Sequence, residues 1–134
     1  MPSRGEELFL AHVIRNGLEV PQMEYKFLDQ RRFRFDFAWV RKKIAVEVEG
    51  GVWVGGRHTR GGGYSRDLEK YNLATLHGWK VYRFTTQDVS THKAIAFITV
   101  VMNNNKEREQ SYENISRGFM FADTLQSPEH EAKD

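Results

Sequence analysis

The stretch Ile44-Ala45-Val46-Glu47-Val48-Glu49-Gly50-Gly51 is the most informative segment for the fold. Its β-branched residues Ile44, Val46 and Val48 alternate with Ala45, Glu47 and Glu49. Alternation with a period of two is typical of a β-strand that packs one face against a core. The β-branched residues face that core, whereas Glu47 and Glu49 stand on the opposite face, roughly 7 Å apart along the strand. Two carboxylates this close repel unless a positive group lies between them, and a divalent cation is the simplest such group. The alternative is that one glutamate only faces solvent on a half-exposed strand.

The residues before this strand predict its hairpin partner. An aromatic series alternates with a more polar one, namely Phe33, Phe35, Phe37 and Trp39 with Arg34, Asp36 and Ala38. This pattern predicts a strand with one large apolar face and one polar face. Arg41-Lys42 forms a short turn, so the two strands are antiparallel neighbours and Asp36 aligns with Glu47 and Glu49. The alternative is that Asp36 only pairs with a basic residue such as Arg34.

Helical spacing and turn residues predict the other elements. They are a helix over about 4–16 that begins with a Ser3–Glu6 capping box, a strand over 23–28, a helix over 64–77, a strand over 79–84, and a helix over 88–102 that Asn103-Asn104-Asn105 ends. The long connection before the 79–84 strand makes it parallel to the 44–49 strand. The expected class is α/β, in the order α-β-β-β-α-β, with a mixed central sheet flanked by helices. Residues 1–103 form the single domain, and 104–134 form a polar, partly disordered extension.

Length and composition exclude several classes of protein. A chain of 134 residues suits one hydrophobic core. The absence of cysteine excludes disulfides, zinc–thiolate sites and thiol chemistry. No apolar run reaches membrane-spanning length and no signal peptide is evident, so we expect a cytoplasmic protein with no membrane partner.

The charge distribution is more informative than the net charge of +2. Basic residues on a glycine-rich loop and the following helix, Arg57, His58, Arg60 and Arg66, come after the carboxylate strand. Glycine permits close backbone approach, and basic side chains there can bind phosphates without reading sequence. The alternative is a merely flexible loop. A basic middle around an acidic pair predicts a polyanionic substrate above a metal ion.

Four segments in this order resemble the PD-(D/E)xK nuclease superfamily, with its restriction-endonuclease-like fold. They are Arg34–Phe37, Val46–Gly51, Arg66–Lys70 and Leu76–Phe84, and they look most like its very-short-patch-repair-like and DUF559-like branch. The resemblance covers about residues 3–90. It implies metal ligation by Asp36 and Glu47. Glu49 stands where the broad superfamily has lysine, a departure that this branch tolerates.

The resemblance also implies a site beyond the two central ligands. Lys70 is the candidate for a relocated lysine, although a surface pair with Asp67 is an alternative. Glu6 matches an acid on the first helix, beside its alternative as a capping residue only. The expected catalytic residues are thus Asp36, Glu47, Glu49, Lys70 and Glu6, and the expected metal ligands are Asp36, Glu47 and Glu49.

The resemblance implies a magnesium-dependent endonuclease that hydrolyses DNA phosphodiester bonds. An all-oxygen ligand set favours Mg²⁺, with Mn²⁺ as a substitute. The small size favours recognition of a nick, mismatch or branch. Repair or recombination of bacterial or phage DNA is the expected context, with a homodimer as one arrangement. The alternatives are an inactive nucleic-acid-binding module of the same fold, and a structural α/β protein whose acids are paired surface charges.

Overall fold

A computed structural model describes the backbone of residues 2–50 and 61–133, and the side chains of residues 2–50 and 63–118. The elements are α1 (Arg4–Arg15), β1 (Gln22–Lys26), β2 (Arg34–Trp39), a 3₁₀ turn (Val40–Lys42), β3 (Ile44–Glu49), α2 (Gly61–Leu76), β4 (Lys80–Thr85), α3 (Thr86–Ser90) and α4 (Lys93–Lys133). The predicted order α-β-β-β-α-β is confirmed.

The four strands form one mixed sheet in the order β1-β2-β3-β4. The β1–β2 and β2–β3 pairs are antiparallel, and the β3–β4 pair is parallel. Lys43 adopts a left-handed conformation with φ 55° directly after the 3₁₀ turn, which lets the chain enter β3 in a tight hairpin. The expected mixed sheet and its parallel β3–β4 pair are therefore confirmed.

Helices cover both faces of the sheet. On one face, Phe9 of α1 packs against Phe37 of β2, with ring centroids 5.0 Å apart. On the other face, Ala74 of α2 belongs to the same buried cluster as Ala45 of β3. Both alanines are fully buried, so Ala45 faces the interior on the α2 side of the sheet and not solvent.

The expectation of a single aromatic face on β2 is wrong. Phe37 packs towards α1, but Phe35 lies in the cluster on the α2 side, with Ala38 and Trp79. The ring of Phe35 stacks on Phe27 with a centroid distance of 4.3 Å. The alternation between the two faces therefore fails between Phe35 and Phe37.

The expectation of one helix over 88–102 is also wrong. Thr85 and Asp88 form a capping box that begins the short helix α3 two residues earlier, at Thr86. His92 has φ 66° and separates α3 from α4. The second helix then continues through 103–105, because asparagine costs only about 0.7 kcal/mol relative to alanine and strong helix formers follow at 106–110.

The chain comprises two compact units, Met1–Ile98 and Thr99–Asp134, and the boundary falls within α4. The expected division after residue 103 and the partial disorder of the extension remain predictions. In the part of the chain that the structure describes, no helix is both long enough and apolar enough to traverse a bilayer.

Candidate metal and phosphodiester site

Asp36 lies where β2 and β3 separate. The regular ladder pairs Phe37 with Val46 and continues towards the turn, and Asp36 is the residue immediately beyond it. The backbone N–H of Val48 donates to Asp36 Oδ2 at 2.8 Å, so this carboxylate replaces the ladder acceptor that β3 would otherwise lack. The hydrogen bond fixes the carboxylate between the two strands and leaves Oδ1 for another partner.

Two further carboxylates converge on Asp36, namely Glu6 from α1 and Glu24 from β1. One ligand oxygen from each of the three lies within 4.8 Å of the others. Among the described residues, Glu6, Glu24 and Asp36 form the acidic group in which ligand oxygens come this close together. The expected trio is Asp36, Glu47 and Glu49, so the two sets share only Asp36. Three carboxylates at this spacing repel one another and are suited to share a hard cation.

Glu6 forms the predicted capping box and also lies beside Asp36. Its backbone N–H donates to Ser3 Oγ at 3.2 Å, and its Oε2 accepts from the Ser3 N–H at 3.0 Å, which completes the capping box. Its other oxygen, Oε1, is buried and has no hydrogen-bond partner among the described residues. A buried carboxylate oxygen without a donor is costly, and a cation held by the acidic group would satisfy it.

The electrostatics of Asp36 reflect the same crowding. Burial raises the pKa of Asp36 to about 6, the hydrogen bond from Val48 opposes that rise, and the charges of Glu6, Glu47 and Glu24 add to it. Since these carboxylates disfavour one another's ionised forms, the donor set and its charge fit a divalent cation.

The carboxylate of Glu47 on β3 accepts hydrogen bonds from two side chains of α2. Its Oε2 lies 2.5 Å from Lys70 Nζ, and its Oε1 accepts a hydrogen bond from the hydroxyl of Tyr71. The side chains of Lys70 and Glu47 are only 12% and 10% exposed. Lys70 therefore forms a buried pair with the β3 carboxylate and not the alternative surface pair with Asp67.

Glu49 is paired with the neighbouring parallel strand. Its Oε1 lies 2.5 Å from Arg83 Nε on β4. The guanidinium of Arg83 also lies over the ring of Tyr71, at 4.4 Å from the centroid. Burial and the negative charge of Glu47 raise the pKa of Tyr71 well above its ordinary value, so its hydroxyl remains a donor at neutral pH.

The predicted phosphate-binding residues are only partly described. Arg57, His58 and Arg60 lie outside the described residues. Arg66 is exposed on α2, one turn before Lys70. The expectation that these four side chains bind nucleic acid therefore stays a prediction.

Sequence reasoning missed Glu24, Tyr71 and Arg83 as site residues. Glu24 has no distinctive pattern around it, since its role depends on its place opposite Asp36 across the β1–β2 pair. Its φ of 50° is rare for a non-glycine residue within a strand. A signal for Tyr71 was present, because it shares a helical face with Lys70 and Ala74.

No protein-family model and no curated protein sequence matches the chain. Among solved structures, the catalytic domain of the homing endonuclease I-Bth0305I is similar, with a TM-score of 0.59. The two chains are 14% identical, and the similarity covers 78% of this chain and 98% of that domain. At this identity the comparison concerns the fold alone. The chain therefore has the mixed α/β architecture of an endonuclease catalytic domain, as expected.

Proposed function

We propose that the chain is a metal-dependent endonuclease that hydrolyses DNA phosphodiester bonds. The single observation that supports this most is the convergence of Glu6, Glu24 and Asp36, with an unpartnered buried oxygen, in a fold shared with an endonuclease domain. A divalent cation there would lower the pKa of a bound water and neutralise charge on the phosphoryl oxygens.

The residues around the acidic group have separate proposed roles. Asp36 is the central ligand, because the Val48 N–H orients it and three other carboxylates influence its charge. Glu6 supplies its unpartnered Oε1. Glu47 is a further ligand next to Asp36, and Glu49 is a ligand for a second ion. The carboxylate oxygens favour Mg²⁺, with Mn²⁺ as a substitute.

Lys70 and Tyr71 would position the reacting groups. Both donate to Glu47, so they fix the direction of that carboxylate. Lys70 Nζ lies in a nearly buried position, where it can orient a water or stabilise charge that develops on the phosphate.

The proposed substrate is duplex DNA with a nick, mismatch or branch. The proposal also includes a homodimer and a role in DNA repair or recombination.

One observation favours a second function, that of a nucleic-acid-binding module without cleavage. Both oxygens of Glu47 accept hydrogen bonds from the protein itself, which is how a carboxylate without a metal would be stabilised. The two functions differ in whether metal and Asp36 are required for any activity.

The test is cleavage of labelled DNAs with Mg²⁺, with Mn²⁺ and with chelator. The panel contains linear duplex, single strand, mismatched, nicked and four-way-junction DNA, with an RNA of the same sequence. We expect metal-dependent cutting that Asp36→Asn and Glu47→Ala abolish. Glu7→Gln is the matched control, because Glu7 is exposed on α1 beside Glu6. Intact DNA in every lane, together with a gel shift, would establish the binding module instead.

A further inference from the structure

The hairpin between β1 and β2 has a cluster of basic side chains that the carboxylate site does not explain. Residues 26–34 contain four basic side chains, Lys26, Arg31, Arg32 and Arg34, and one acidic side chain, Asp29. Of the four, Arg31 forms an ion pair with Glu69 of α2, with 2.9 Å between the charged atoms. The other three, Lys26, Arg32 and Arg34, are here called the basic hairpin.

The basic hairpin is arranged at a cost to stability. Lys26 and Arg34 are direct partners across the β1–β2 pair, and like charges in that position repel. All three side chains are exposed. Among the residues that the structure describes, none of the three has an acidic side chain within ion-pair distance. Their charges are therefore available to an external anion.

The support beneath these charges is well packed. The ring of Phe27 stacks on Phe35 at 4.3 Å with an interplanar angle of 5°, and on Phe33 at 6.5 Å with an angle of 18°. The Arg31–Glu69 pair connects the turn to α2. Because the backbone under Lys26 and Arg34 is fixed by these contacts, an anion that binds there would pay little for ordering the protein.

The basic hairpin borders the acidic group. Lys26 is two residues from Glu24 on β1, and Arg34 is two residues from Asp36 on β2, which is roughly 7 Å along each strand. A cation site with basic side chains at this distance is suited to bind a polyanion, in which negative groups recur at regular intervals along a chain. A nucleic-acid strand has one phosphate per about 3.4 Å of helix axis, so phosphates beyond the one at the cation would reach the hairpin.

We propose that the basic hairpin binds the phosphate backbone of the nucleic-acid substrate on the β1 side of the site. The proposal rests on the proposed function, since the neighbouring carboxylates would act on the same strand. Lys26, Arg32 and Arg34 are positioning residues, because they would hold phosphates and contact no reacting atom. The glycine-rich loop is then not required to be the main contact with nucleic acid.

The experiment measures binding of a fluorescently labelled DNA duplex by anisotropy, in chelator and at several salt concentrations. The proteins are the wild type, the double variant Lys26→Gln/Arg34→Gln, and Lys80→Gln. Lys80 is the matched control, because it is an exposed lysine of the same sheet that lies outside the basic hairpin. It is on β4, where it pairs with Ile44 at the start of β3.

We expect the double variant to bind about tenfold more weakly at moderate salt. Its plot of log affinity against log salt concentration should be shallower by about 1.8, for two lost phosphate contacts. Lys80→Gln should retain the wild-type affinity and slope. The midpoint of thermal unfolding of the double variant should equal or exceed that of the wild type, because a repulsive pair is removed. This second measurement excludes misfolding as the cause of weaker binding.

An unchanged affinity and slope in the double variant would overturn the proposal. It would also be overturned if the wild type bound phosphatidylserine-rich vesicles through these residues and left DNA unbound. If DNA binding depends on the basic hairpin but no cleavage occurs in Mg²⁺, the proposal for the hairpin is supported and the proposed nuclease function is contradicted. If DNA is cleaved but its binding does not depend on the hairpin, the nuclease function is supported and the proposal for the hairpin is contradicted. The two failures are therefore distinguishable.

Discussion

Asp36 contributes both to the backbone hydrogen bonding of the sheet and to the cluster of acidic side chains. It satisfies the backbone N–H of Val48 where two strands separate, and it lies between Glu6 and Glu24. A neutral side chain of the same shape would keep the hydrogen bond without the repulsion. The charge therefore reduces the stability of the metal-free fold, which is a frequent property of functional sites.

The pH dependence of stability should reveal this cost. The pKa of Asp36 is raised to about 6 in the folded chain, from 3.8 in the unfolded chain. Between these values the folded state binds more protons, so the contribution of Asp36 to stability is greatest below pH 4 and decreases as the pH rises through about 6. In chelator, Asp36→Asn should therefore unfold at a higher temperature than the wild type at pH 7, with a smaller difference at pH 4.

Asp29→Asn serves as the control, because Asp29 is exposed in the β1–β2 turn. Addition of Mg²⁺ should raise the unfolding temperature of the wild type and leave Asp36→Asn unchanged, since a ligand stabilises only the state that binds it. If Asp36→Asn were less stable than the wild type at pH 7 in chelator, the proposed charge crowding would be wrong.

Glu24 adds backbone strain to the same site. Its φ of 50° lies in the left-handed region, which costs a non-glycine residue about 1–2 kcal/mol. Glu24→Gly should remove that cost and one repulsive charge, and so stabilise the metal-free protein by about 1 kcal/mol. It should also weaken the binding of Mn²⁺. Urea unfolding in chelator measures the first effect and titration calorimetry measures the second.

Gln22→Gly is the comparison for Glu24→Gly. Gln22 is exposed at the start of the same strand, and it is not among the described residues that have a positive φ. Glycine in a strand normally reduces stability, so this variant should be destabilised. Destabilisation of both variants to the same extent would argue against strain at Glu24.

At the scale of elements, the close approach of α1 to the sheet and α3 places Glu6 beside Asp36. A Cβ on Gly5 would lie 2.9 Å from Thr86 Cγ2 and 3.0 Å from Val48 Cγ1. Gly5→Ala should therefore push α1 away and destabilise the fold by about 1 kcal/mol or more, although alanine favours helices. The same shift should weaken cation binding, because it moves the adjacent Glu6.

Gly63→Ala is the matched control on α2, because a Cβ there would meet no tertiary neighbour within 4 Å among the residues that the structure describes. It should stabilise the protein by about 0.5–1 kcal/mol, since alanine restricts the unfolded chain and favours the helix. Chemical unfolding of the two variants together tests the packing of α1. An increase in stability for both would show that α1 has room to accept a side chain.

At the scale of the whole molecule, Met102 is the last buried apolar side chain along the chain among those that the structure describes. The unit Met1–Ile98 contains the sheet and all the carboxylates of the site. A chain shortened to 1–103 should therefore keep a cooperative thermal transition and the same response to Mg²⁺. Loss of the transition would show that residues 104–134 are required for the fold.

Much of the fold could be predicted because local patterns and tertiary contacts agree. The alternation around Glu47 predicts β3, and the Ser3–Glu6 capping box begins α1 as expected. The site could be predicted only in part. Asp36, Glu47, Lys70 and Glu6 do lie around the separation of β2 and β3, but the sequence could not indicate which carboxylates approach one another.

The sequence alone determined the order of the elements and the antiparallel pairing of β2 with β3, because these depend on side-chain periods and short turns. The tertiary structure decided that Glu24 joins Glu6 and Asp36, and that Glu47 faces Lys70 and Tyr71. It also decided that Phe35 and Phe37 pack towards different helices. These features depend on where β2 leaves β3 and on contacts between residues far apart in the chain, which no local pattern contains.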